Sequence, residues 1–107
     1  MKATQVFNVE RVVELETGML CRLHMDLFDV GEGKAKGLFL DRFRFSWIFF
    51  EIENPLHRVL VDCHKPFGVH VHFDDGKQEP VEVRTLDEVR EFFSNAIKKH
   101  FGADVEV

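Results

Sequence analysis

The chain has 107 residues and a mass of 12.5 kDa, with 45% hydrophobic residues, twelve Phe and 31% charged residues. That is the size and composition of one domain, residues 1–107, with a core of its own, and it excludes a disordered tail. A net charge of −5 with His neutral excludes a general nucleic-acid coat, which needs clustered Lys and Arg, but is compatible with a small basic site on an acidic body.

No apolar run approaches the roughly 20 residues of a membrane-spanning helix, and Met1-Lys2-Ala3-Thr4 does not open a signal peptide. The expected setting is therefore cytoplasmic, without a membrane partner.

Residues 5–15 read as a first strand. Its alternation is poor around Val12-Val13, which predicts a bulge or an edge position. Glu16-Thr17-Gly18 turns it into residues 19–27, where Met19, Cys21, Leu23, Met25 and Leu27 alternate with Arg22, His24 and Asp26. A side-chain period of two sends the first set inward and the second outward. Residues 38–52 read as a long strand with Phe43, Phe45, Trp47 and Phe49 on one face and Arg42, Arg44 and Ser46 on the other. Ile48, Phe50 and Ile52 then turn that second face apolar, which predicts that it is covered at one end.

Residues 58–63, 69–73 and 81–84 are short, Val-rich segments that read as further strands. Thr85-Leu86-Asp87-Glu88 is a capping box, in which the Thr oxygen takes the Glu amide and the Glu carboxylate reaches back to the Thr amide. Leu86, Val89, Phe92, Phe93, Ala96, Ile97 and His100-Phe101 follow at helical spacing. Acidic residues come early and Lys98-Lys99 late, and Gly102 stands where the helix should stop. The expected class is α+β: an antiparallel meander sheet of about five or six strands with one C-terminal helix packed on its apolar face.

The residues that can carry chemistry centre on His70-Val71-His72. On a strand the two imidazoles point the same way, with α-carbons about 6.6–6.8 Å apart. That spacing lets them grip one metal ion or straddle one phosphate as acid and base. Asp62 and His64 fall on the polar parity of the preceding strand, so pairing of the two strands brings a carboxylate near two or three imidazoles. Asp62, His70 and His72 are thus the catalytic candidates, and with His64 the candidate ligands of a divalent metal. Metal ligation, metal-free acid–base work and a solvated face with scattered His all remain open at this point.

Arg22, Arg42, Arg44, Arg58 and Arg84 share the polar parity. They make either a locally basic floor, with Arg44, Arg58 and His64 meeting a substrate phosphate, or cross-strand pairs with Asp26, Asp62 and Glu82 worth about 0.2–1 kcal/mol each. Cys21 and Cys63 fall on apolar parity and read as buried thiols, and a disulfide is not expected. Gly31-Glu32-Gly33-Lys34-Ala35-Lys36-Gly37 lacks the Gly-Lys-Ser/Thr ending and the following helix of a P-loop, and reads as a connector.

Val61-Asp62, Gly68, His70-Val71-His72-Phe73, Glu79-Pro80 and the helix opening Thr85-Leu86-Asp87-Glu88 together resemble the TumE family, small bacterial and archaeal proteins regarded as the toxin half of a toxin–antitoxin pair. The likeness is specific over roughly the last third of the chain. Cys63 stands where the family commonly has Asn, and Pro66-Phe67 replaces a more polar turn, but Asp62, His70 and His72 are intact. The resemblance implies growth inhibition held in check by an antitoxin protein of helix-turn-helix type.

The expected function is a toxin acting on RNA or a nucleotide. One of His70 and His72 would take a proton from a ribose hydroxyl and the other protonate the leaving oxygen, with Asp62 fixing a tautomer and Arg44 or Arg58 steadying the phosphate. A metal-dependent version uses the same trio as ligands. The alternatives are a non-enzymatic protein-binding module that engages its partner along a sheet edge, and a metal-binding domain for sensing or storage.

Overall fold

The computed structural model describes residues 4–29, 43–64 and 68–107. In chain order these form β1 (Thr4–Glu14), β2 (Leu20–Asp29), β3 (Phe43–Glu51), β4 (Arg58–His64), β5 (Gly68–Phe73), β6 (Glu79–Pro80) and α1 (Leu86–Phe101). The six strands make one antiparallel sheet in the order β1-β2-β3-β4-β5-β6, each paired with its neighbour in sequence. The expected α+β meander with a single C-terminal helix is the fold observed.

Parity decides the faces. Val9, Met25, Trp47, Val61 and Val71 lie in one cross-strand row, and Leu23, Phe49, Val59 and Phe73 in the next. Most of these odd-numbered side chains are buried, and α1 covers them with Val89, Phe93, Ala96 and Ile97. Phe93 meets Trp47 with ring centroids 5.9 Å apart, and Phe101 meets Phe49 edge-on at 4.9 Å. The Trp47 indole N–H donates to the Asp26 carbonyl at 2.7 Å, so burying this ring leaves no donor unsatisfied.

The helix starts and stops where its sequence says. Thr85 is the N-cap and its hydroxyl accepts the Glu88 amide at 3.1 Å, while Gly102 takes the left-handed φ of 71° and donates to the Lys98 carbonyl. Half of the expected capping box differs: the Glu88 carboxylate accepts from the amide of Arg84 at 2.8 Å, one residue outside the cap. It thereby serves a coil amide that no strand partner takes up, in place of the Thr85 amide.

One other expectation is corrected. The strand expected over residues 81–84 is replaced by the two-residue β6, Glu79–Pro80, just before it. Val81 still donates to the Val69 carbonyl at 3.0 Å, but Val83 alternates with Arg84 because it packs against the core, not because it sits in a ladder. Of the two options for Val12-Val13 the edge position is the one found: β1 is the first strand of the sheet, its pairing with β2 runs unbroken through Val12 and Val13, and its register shifts only between Gln5 and Phe7.

Val12 breaks the alternation because it is an apolar residue on the open face, where it is 58% exposed. Where cover is expected on that face, Ile48 and Phe50 are half-buried, whereas Ile52 is 39% exposed. Of the strand expected over residues 38–52, the part before Phe43 lies outside the described residues, as do Arg42 and the Gly31–Gly37 connector.

Candidate functional site

The even-numbered side chains face away from α1, and the row that matters crosses four strands. Ser46 on β3 stands opposite Asp62 on β4, Asp62 opposite His70 on β5, and His70 opposite Pro80 on β6. His72 lies one row further, opposite Leu60. The neighbour pairing of β4 with β5 therefore delivers the juxtaposition of Asp62 with His70 that parity anticipates.

His70 Nε2 is 3.7 Å from Asp62 Oδ2, and the His70 and His72 rings meet edge-on with centroids 5.2 Å apart. One ligand atom from each of Asp62, His70 and His72 lies within 4.8 Å of the other two. His70 is 2% exposed, the only polar side chain among the described residues to be fully buried, while Asp62 and His72 are half-buried.

The hydrogen bonds of the two imidazoles set their tautomers. His70 Nδ1 is 3.2 Å from the Gly68 carbonyl and His72 Nδ1 is 3.4 Å from the Gly76 carbonyl. A carbonyl only accepts, so in each ring Nδ1 carries the proton and donates. In the neutral imidazole this turns the lone pair of Nε2 outward, and in His70 it is Nε2 that faces the carboxylate. This is the outer-partner pattern of metal-ligating histidines, whose second ring nitrogen is held by a backbone carbonyl or carboxylate.

The other sequence candidates are placed differently. Arg44 is exposed on β3, on the same face and two residues from Ser46. Arg58 stands at the far end of β4, with Leu60 between it and Asp62, and is tied to the turn after β5: its amide donates to Asp74 Oδ1 at 3.1 Å and its Nε to the Asp74 carbonyl at 3.0 Å. His64 pairs with Gly68 at the end of β4, and its side chain lies outside the described residues.

His24 shares the row of His72 but sits on β2, bonded to Asn8 Oδ1 at 3.0 Å. The expected Arg pairs with Asp26 and Asp62 do not form among the described residues; Asp26 accepts from the Ser46 amide instead. Cys21 and Cys63 are buried, as expected, and neither is in a disulfide. Burial, with the Glu51 carboxylate nearby, pushes the Cys21 thiol up.

A second convergence has no counterpart in the sequence reading. His57 in the β3–β4 turn, Asp74 just after β5 and His100 in the last turn of α1 bring their ligand atoms within 4.8 Å of one another. His100 Nε2 is 2.8 Å from Asp74 Oδ1, and His57 Nδ1 is 3.1 Å from Glu51 Oε1. The His100 bond, helped by the Arg58 amide, holds the Asp74 carboxyl below the usual carboxylate range. No spacing rule links residues 57, 74 and 100; only the strand order together with the helix docking brings them together.

No protein family, no curated protein and no solved structure matches the chain. The likeness to the TumE family therefore rests on the residues quoted for it above. Among the described residues, no helix is long and apolar enough to cross a membrane.

Proposed function

We propose that this protein is a metal-dependent toxin that acts on RNA or a nucleotide, with Asp62, His70 and His72 holding one divalent cation. The observation that carries the metal is the convergence of these three ligand atoms within 4.8 Å while both Nδ1 atoms are held by carbonyls. Two imidazoles and one carboxylate suit a zinc-like ion better than magnesium or calcium, which prefer oxygen. Such an ion, when bound with an open position, supplies a water acidified for attack on phosphorus and neutralises charge on the phosphoryl group.

Burial favours ligation over the acid–base alternative. A ribose hydroxyl has to touch its general base within hydrogen-bond reach, and His70 is 2% exposed. A bare ion makes a smaller demand, since its other two ligands, Asp62 and His72, are only half-buried. Arg44, exposed on the same face, would be the guanidinium that meets a substrate phosphate. The toxin activity and its partner, an antitoxin of helix-turn-helix type, come from the resemblance.

The test is growth on expression in a host, with RNA cleavage by the purified, untagged protein measured before and after chelation. The expected result is growth arrest and a cleavage activity that chelator abolishes and a divalent metal restores, both lost in Asp62→Asn and His72→Ala. Cleavage that survives the chelator, or variants that remain toxic, would overturn the reading.

A further inference from the structure

We propose that His57, Asp74 and His100 form a second divalent-cation site, which fastens the end of α1 to the turns after β3 and β5. It stands apart from the centre at Asp62, because His57 and His100 pack with Phe101 on the helix-covered side of the sheet whereas His70 and His72 lie on the opposite face. His57 and Asp74 stand at the adjoining ends of the paired strands β4 and β5, and His100 comes from α1, so an ion here would tie the helix to the sheet where no ladder joins them.

The surroundings fix each donor. Glu51 Oε1 accepts from His57 Nδ1 at 3.1 Å, so His57 presents Nε2 as its lone pair, in the carboxylate–histidine arrangement common around bound zinc. The His57 ring is stacked on Phe101 with centroids 4.1 Å apart and an interplanar angle of 19°. His100 is wedged between His57 at 5.2 Å and Phe73 at 5.3 Å. Asp74 Oδ1 is steadied by the Arg58 amide at 3.1 Å.

The side chains of His57 and His100 remain 27% and 25% exposed, enough for an ion to enter from solvent. A tetrahedral ion with bonds of about 2.0–2.1 Å spaces its ligand atoms about 3.3 Å apart. The 2.8 Å contact between His100 Nε2 and Asp74 Oδ1 would open by about half an ångström as the ion takes the place of the Nε2 proton, which passes by way of solvent to Nδ1 and leaves the ring neutral. A cation at this place also meets the negative end of the α1 dipole, since His100 is in the last helical turn. Two nitrogens and one carboxylate oxygen again select a zinc-class ion.

The experiment is a titration of the full chain with Co2+, read by visible absorption and calorimetry, with thermal unfolding measured with and without Zn2+. Protein carrying Asp62→Asn and His72→Ala, which removes the first centre, is expected to keep one equivalent of Co2+ and a Zn2+-dependent rise in Tm. Adding His57→Gln and His100→Gln is expected to abolish both, and Asp74→Asn alone to weaken this site more than about 10-fold.

The proposal is overturned if the Asp62→Asn, His72→Ala protein binds no Co2+, or if the added glutamines leave its stoichiometry unchanged. Should the glutamine variant fail to fold, Asp74→Asn decides, because an unchanged affinity there overturns the site. Failure of the first centre reads out separately, as wild-type protein binding no more Co2+ than the Asp62→Asn, His72→Ala protein.

Discussion

Gly76 closes the turn after β5, where its amide donates to the Phe73 carbonyl at 2.9 Å and its own carbonyl lies 3.4 Å from His72 Nδ1. In Gly76→Ala the new methyl would stand 2.9 Å from the Phe73 carbonyl oxygen. Even close carbon–oxygen contacts settle at about 3.3–3.6 Å, so the turn must open by about half an ångström. The obstacle is backbone, so no side chain can swing aside to absorb the shift.

The bond to His72 is already near the limit of a hydrogen bond, and a shift of that size breaks it. His72 then loses the acceptor that fixes its Nδ1–H tautomer. Removing such an outer partner weakens metal binding by about 10–100-fold, or about 1.4–2.7 kcal/mol.

The assay is competition for Co2+ with a chromogenic chelator. It is run in a His57→Gln, His100→Gln background, so that only the centre at His72 is read and movement of Asp74 in the same turn has no effect. Gly76 is exposed, so circular dichroism should report an unchanged fold. An affinity within about twofold of the parent, in a protein with a native spectrum, would refute the claim that the Gly76 carbonyl orients His72.

Two further outcomes test the frame that holds the site. Phe93 is fully buried against Trp47, and Phe93→Ala should cost about 3–5 kcal/mol in urea unfolding; a loss below about 1 kcal/mol would mean that α1 does not sit on β3 and β4 as described. Cys21 is fully buried with its thiol pushed up, both of which suppress the reactive thiolate, so iodoacetamide should label it only after denaturation. Labelling of the native protein at the rate seen in urea would contradict that placement.

What could be read from the residues was whatever depends on period and parity. The alternation through Cys21, Leu23, Met25 and Leu27 fixes which face of β2 is inside, and the spacing from Leu86 to Phe101 defines the helix and its buried stripe. The approach of Asp62 to His70 needs only parity plus pairing of adjacent strands, so a meander makes it readable.

Features set by competition between local options were not readable. Val81 and Val83 look like a strand, but the bonding to β5 goes no further than the Val81 amide, and both side chains are taken up by the core. Around Val12 the sequence leaves bulge and edge position undivided, because an apolar side chain on the open face of an edge strand interrupts the alternation as a bulge would. Nor does a one-dimensional pattern report the trio His57, Asp74 and His100, which depends on where the last turn of α1 lands relative to two hairpin turns.

The meander also has a consequence for the order of assembly. Each strand finds its partner in the segment just before it, so pairing can proceed as short, local closures with modest loss of chain entropy. The covering element comes last: Trp47, Phe49, Val59 and Val61 belong to strands finished well before residue 86, yet they are sealed only when α1 arrives. Until then a growing chain carries a broad greasy sheet bare on one side, the kind of surface that aggregates or recruits chaperones. Truncation ahead of Leu86 should therefore give insoluble material rather than a smaller folded sheet.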